Sequence, residues 1–136
     1  MICPIIHDRS LLSLSALPAD ENDRELAANL LDTLMAHTDS CVGMAANMIG
    51  VNKAIIAVRD EDQFLVMLNP VILRKSIPYE AEEGCLSLPG TRKTTRYKSI
   101  RVAWQDTRML AQHGTFLGFT AQIIQHEIDH LSGILI

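Results

Sequence analysis

The sequence predicts an α+β fold, on three observations. Apolar residues recur at helical spacing between residues 23 and 36, short alternating segments occupy residues 54 to 117, and a second helical pattern carries His126-Glu127-Ile128-Asp129-His130 near the C-terminus. Helix, strands, then helix is the order of an α+β domain, not of repeated βαβ units. The 136 residues, 48% of them hydrophobic, suffice for one core, so residues 1–136 are expected to form a single domain.

Taken in order, the first twenty residues read as an extended arm and loop, because Pro4 and Pro18 limit regular structure. Asn22-Asp23-Arg24-Glu25 has the spacing of a capping box, and Leu26, Ala27, Leu30, Leu31, Leu34 and Met35 share one face. A helix from about Asp23 to Ala36 follows, with an ordinary core-packing role. The segment from Cys41 to Gly50 breaks the pattern with small residues and two glycines, which permit close backbone approach. Residues 54–59 and 64–69 read as a hairpin joined across the polar residues 60–63. Asn69-Pro70 closes that run, Val71-Ile72-Leu73 opens another strand, and residues 77–82 read as a connection. The basic residues between Arg92 and Lys98 are expected to form a solvated face. Ile100, Val102 and Trp104 alternate with polar or small residues as in a strand, and a further strand around residues 115–117 leads into the terminal helix, for which Gly133 is a C′ stop. Ile134, Leu135 and Ile136 then form an edge strand or cover the core.

Composition excludes several classes. Net charge is -4, with no basic block or interleaved aromatic platform, so a nucleic-acid footprint is not expected. Neither a run of about 18 apolar residues nor a basic leader is present, and a cytoplasmic protein without membrane contact is expected. Cys3, Cys41 and Cys85 cannot all pair with one another, which favours free thiols or metal ligation.

The stretch from Gln125 to Gly133 carries the chemistry. Residues four apart on a helix lie about 40° apart around its axis, so His126 and His130 can reach one ion, with Glu127 free beside it to move a proton. The third ligand decides the enzyme class. A thermolysin-like protease needs a carboxylate well downstream, yet the chain ends at Ile136. A metzincin needs histidine where Ile136 stands. The third ligand is therefore upstream, among His113, Glu82, Glu83 and the cysteines. His113, before Gly114, reads as a turn residue. Cys85 alone reads as a small buried hydrophobe. With His126 and His130 it completes a Cys/His/His set with one open position, as a catalytic metal requires.

These residues resemble the peptide deformylase family, which is marked by Gly-φ-Gly-φ-Ala-Ala-x-Gln, Glu-Gly-Cys-φ-Ser and Gln-His-Glu-φ-Asp-His, φ being apolar. The second motif stands intact as residues 83–87 and the third as residues 125–130. The resemblance implies antiparallel sheets around a C-terminal metal-binding helix. It implies hydrolysis of the N-formyl group from nascent polypeptides that begin with formyl-methionine, with the ribosome a candidate partner. The ion would be Fe²⁺, with Zn²⁺, Ni²⁺ or Co²⁺ as alternatives, held by Cys85, His126 and His130. Glu127 would move protons, the backbone N–H of Leu86 would hold the developing oxyanion, Gly43 and Gly84 would line the peptide cleft, and Arg92 would lie near the bound peptide. Met44 and Ile124 would shape the methionine pocket or simply pack the core.

The first motif departs from the family at both ends: Cys41 replaces its leading glycine and Met48 its closing glutamine. The family's glutamine donates a hydrogen bond to the oxyanion, and a thioether cannot. Loss of one such donor costs about 10²–10³ in kcat, so a slow deformylase is expected. Asn47 carries an amide, but in an extended segment it would face away from Met48. An amidase for another short N-acyl group, and a catalytically weak homologue that binds metal or peptide, are the alternatives. Many relatives also continue beyond the third motif, so the chain reads as a shortened form.

Overall fold

Helix α2 (Arg24–Ala36) forms where its apolar spacing predicts, burying Ala27, Leu30 and Leu34. A 3-10 turn over Glu21–Asp23 leads into it, and the computed structural model, which describes residues 1–136, corrects the cap. The Asp20 carboxylate accepts from Asn22 N–H and the Asp23 carboxylate accepts from Asp20 N–H, each at 2.9 Å. Asp20 takes the cap because its backbone is extended, the conformation a capping side chain needs.

The N-terminal arm also departs from expectation. Residues Arg9–Leu12 form a short helix, α1, capped by Asp8 and anchored by the fully buried Leu12. Pro4 and Pro18 lie outside it and do not oppose it.

Five strands make one antiparallel sheet in sequence order: β1 (Gly43–Ala45), β2 (Ile55–Asp60), β3 (Gln63–Cys85), β4 (Leu88–Gln105) and β5 (Ala111–Leu117). The expected 54–69 hairpin is present as β2 and β3. The expected break at Asn69-Pro70 and the connection at 77–82 are not, because β3 runs through both. Register shifts between Leu68 and Val71 and between Ile72 and Arg74 allow this. Pro70 falls in the first of them, where a strand residue need not donate to the ladder. Asn69 and Ile77 take positive φ, 52° and 64°. The side chain of Asn69 offsets its irregular backbone by bonding Ala19 N–H, Ala19 O and Gln105. His113 lies within β5 opposite Ala103, not in a turn.

Helix α3 (Gly118–Leu131) is capped by Ser132 and followed by Gly133 at φ 76°, as predicted. A Cβ at Gly133 would also overlap the Ser13 carbonyl oxygen. Helices α2 and α3 cover opposite faces of the sheet. Strand β2 shows why it reads as an unbroken apolar run: Ile55 and Ala57 join the core that holds Leu30 and Leu34 of α2, whereas Ile56 and Val58 join Ile123 and Ile124 of α3. Each such isoleucine contributes about 1.5–3 kcal/mol by leaving water. Ile136 is buried and Leu135 packs on the α2 core, so the last residues cover the core without forming a strand.

Two contacts set the height and rotation of α3. The Gln125 amide accepts from Tyr97 N–H at 2.9 Å and donates to Tyr97 O at 2.8 Å, joining the helix to β4. Gly43 lets β1 approach the other flank, since a Cβ there would stand 2.6 Å from Ile123 Cγ2 and 3.0 Å from Glu127 Oε2.

Candidate active site

Strand β3 ends at Cys85, and a turn through Leu86 and Ser87 reverses the chain into β4. His126 and His130 come from successive turns of α3. The ligating atoms of Cys85, His126 and His130 all lie within 4.8 Å of one another, although Cys85 is about forty residues away in sequence. The structure therefore brings together the three residues expected to hold an ion.

Hydrogen bonds fix the imidazoles. His126 Nδ1 donates to Glu83 Oε1 at 2.8 Å, which leaves Nε2 as the free donor of electrons. That Nε2 faces His130 Nε2 at 3.0 Å. Two ring nitrogens so placed share either a proton or an ion. Burial lowers the pKa of His126, but the neighbouring Cys85 sulfur and the Glu83 and Glu127 carboxylates outweigh it and hold His126 well above the ordinary imidazole range. Burial and the charge on His126 push His130 the other way. One sulfur and two ring nitrogens within 4.8 Å of one another are a donor set that suits Fe²⁺, Zn²⁺, Co²⁺ or Ni²⁺. The residues present fit a divalent ion.

Glu127 is 4% exposed and its Oε1 has no partner. Burial pushes it up to about 7, against the pull of the His126 charge, which places a proton acceptor and donor near neutrality. It faces a cavity of about 530 Å³ that also touches Gly43, Met48, Gly84, Cys85 and Leu86. Arg92 is not part of this lining; its Nη2 donates to Pro89 O at 3.0 Å. Met44 and Ile124 pack the two cores and do not line the cavity. Instead Ile123 and Phe119 line it, the latter 63% exposed. Their spacing from Glu127, four and eight residues, places them on the same helix face and was the available signal.

Cys41 also lines the cavity, but burial pushes its thiol up to about 12 and it donates to Gly43 O at 2.9 Å. It is thus engaged with the main chain and stands outside the Cys85, His126 and His130 group. Residues 46–49 form a 3-10 turn, not an extended segment. Asn47 nevertheless faces away from the cavity: its Nδ2 donates to His130 O at 3.1 Å.

Sequence reasoning missed Arg96, which is 3% exposed within the segment expected to be a solvated face. It donates to Glu83 from Nε, at 3.1 and 2.9 Å, and from Nη2 at 2.7 Å, and to Asp129 at 2.6 Å. Burial alone would raise Glu83, but hydrogen bonds from His126, Arg96 and Gln122 bring it down to about 2. Glu83 is thus a fixed anion that orients the His126 ring. A cysteine and two helical histidines, with a buried carboxylate beside them, define the class of mononuclear metal-dependent hydrolases.

Comparison narrows the class. The sequence model of the family described as Polypeptide deformylase matches residues 5–136. The chain is 49% identical over 136 residues to the peptide deformylase of Clostridium beijerinckii, covering all of both chains. It is similar to the Met-Ala-Ser-bound class I type b peptide deformylase from Acinetobacter baumannii, with TM-score 0.90 and 31% identity, over 99% of this chain and 97% of that one. The peptide deformylase from Thermotoga maritima matches with TM-score 0.89 and 30% identity, over 99% and 95% of the two chains. The chain belongs to the peptide deformylase family.

Proposed function

We propose that this chain hydrolyses the N-formyl group of peptides that begin with formyl-methionine, with Cys85, His126 and His130 holding one divalent ion and Glu127 carrying the proton. The observation that carries this reading is the convergence of those three donors beside the unpartnered Glu127 carboxylate on one cavity. Fe²⁺ is the proposed ion. When bound, it supplies Lewis acidity that makes water a nucleophile and polarises the formyl carbonyl.

The chain's own groups do the rest. Glu127 accepts a proton from the attacking water and delivers it to the amine nitrogen as the C–N bond breaks, so that formate and a free N-terminus leave. The Leu86 N–H donates to the carbonyl oxygen as negative charge develops there. Gly43 and Gly84 offer backbone groups to the peptide. At Gly84 a Cβ would meet only ordinary contacts, Gly90 O at 3.5 Å and Thr91 Cγ2 at 3.8 Å. Ile123 and Phe119 supply apolar surface for the methionine side chain. The Met-Ala-Ser bound by the Acinetobacter relative supports this substrate class.

The test is release of formate from formyl-Met-Ala-Ser by anaerobically purified Fe²⁺ or Ni²⁺ protein, with acetyl-Met-Ala-Ser beside it. Turnover of the formyl peptide is expected. Metal-loaded protein with no turnover above free metal would sink the reading. Glu127→Ala should keep its ion and lose about 10²–10⁴ in kcat.

A further inference from the structure

We propose that Gln122, braced by Tyr79, is a positioning residue for the His126 imidazole and thereby sets the affinity of the ion site. This rests on the metal-site reading of Cys85, His126 and His130.

Gln122 and His126 stand four residues apart on α3, on one face of the helix, and both line the cavity. Glu83, 8% exposed, joins them with its two oxygens. Its Oε1 accepts from His126 Nδ1 at 2.8 Å, and its Oε2 accepts from Gln122 Nε2 at 2.9 Å. One carboxylate thus spans two successive turns of α3 and is anchored to the helix at both oxygens. Holding one ring nitrogen of a histidine in this way fixes the direction in which the other points. On its other side, Gln122 Oε1 accepts from the Tyr79 hydroxyl at 3.2 Å. Tyr79 and Glu83 are four residues apart in β3, so their side chains leave the strand on the same face. The Gln122 amide therefore closes a ring of hydrogen bonds with two residues of one strand.

The orientation of that amide follows from its partners. An ionised carboxylate only accepts, so the Nε2 end faces Glu83 and the Oε1 end faces Tyr79. Burial and the Glu83 charge hold the Tyr79 hydroxyl above the ordinary phenol range, so it stays protonated and donates.

Two other accounts compete. Arg96 also restrains Glu83, but from β4: its planar fork, Nε and Nη2, sets the plane of the carboxylate, and its Nη1 continues to Asp129. None of these bonds reaches the turn of α3 that precedes His126, which is where Gln122 holds Oε2. The second account makes Gln122 a wall of the cavity and nothing more. Its neighbours on that wall, Phe119 and Ile123, are apolar, and a wall residue needs no bond to Tyr79, which does not line the cavity.

The probe is Zn²⁺ alone, loaded into the full chain, with affinity read by competition with a chromogenic chelator. Gln122→Met keeps a side chain of similar length and removes both hydrogen bonds. Tyr79→Phe removes one hydroxyl that lies outside the cavity. Zn²⁺ affinity should fall about tenfold in Gln122→Met and about threefold in Tyr79→Phe. The double variant should match Gln122→Met, because the phenol acts only through the amide. On the Ni²⁺ form at matched metal content, Gln122→Met should lower kcat for formyl-Met-Ala-Ser with a smaller change in KM. A raised KM with kcat and Zn²⁺ affinity unchanged overturns the proposal and leaves Gln122 a wall of the pocket. Unchanged affinity in Tyr79→Phe, or losses that add in the double variant, overturn it as well. In each of these cases, loss of Zn²⁺ uptake in Cys85→Ser leaves the metal-site reading standing. Equal uptake by Cys85→Ser and the wild type overturns both. If Gln122→Met does not fold, the affinity of Tyr79→Phe decides alone.

Discussion

Methionine at position 48 removes a hydrogen-bond donor from a cavity whose acid-base equipment is otherwise complete. Leu86 N–H remains, but Asn47 cannot help, because its amide reaches the backbone of His130 and Leu12 on the far side of the turn. A glutamine amide at 48 would stand beside Cys85, where Met48 Sδ now lies, and could donate to the developing oxyanion. Met48→Gln is expected to raise kcat on formyl-Met-Ala-Ser by about 10² with a smaller change in KM. Initial rates on the Ni²⁺ form at matched metal content measure this. An unchanged or lower kcat would count against the oxyanion account of position 48.

Among the elements, β1 and α3 make the contact that places Glu127. Gly43 is the closest point: a methyl group there meets Ile123 Cγ2, which is β-branched, 6% exposed and therefore unable to swing away, as well as the Glu127 carboxylate. Gly43→Ala is expected to cost about 1–3 kcal/mol in urea unfolding and to lower kcat by displacing Glu127. Gly84→Ala is the control, since its new methyl makes only ordinary contacts and stability should change by less than about 0.5 kcal/mol. Equal losses in the two variants would remove the packing argument. The same elements show what sequence can disclose. Helices α2 and α3 were legible because their apolar period is local, and the proposed ligands because Cys85, His126 and His130 stand in two intact motifs. The continuity of β3 was not legible. Asn69-Pro70 is a local stop signal, and only pairing with β4, thirty or more residues away, carries the strand across it. Arg96 was hidden for a related reason: its charge predicts solvent, and its burial depends on Glu83 and Asp129, which arrive from other elements.

For the molecule as a whole, the site also acts as a tie. Arg96 on β4 joins Glu83 on β3 to Asp129 on α3, and Glu83 passes that restraint to His126. An ion on Cys85, His126 and His130 would add a second connection between the end of β3 and α3. Binding to the folded chain alone stabilises by mass action, about 2.7 kcal/mol when the free ion stands at one hundred times its Kd. For a chain of this length that is roughly 10 °C in Tm. Removing the ion with a chelator should therefore lower the wild-type Tm by about that amount under such conditions, and restoring the ion should recover it. Cys85→Ser should melt near the chelated wild type and respond little to chelator, because one of the three donors is gone. Glu127→Ala must retain the full chelator response while lacking turnover, since its carboxylate is assigned to protons and not to the ion. Differential scanning calorimetry of the three proteins, with and without chelator, separates these roles. A Glu127→Ala chain that no longer responds would place Glu127 among the ligands and undo its assignment as the proton carrier.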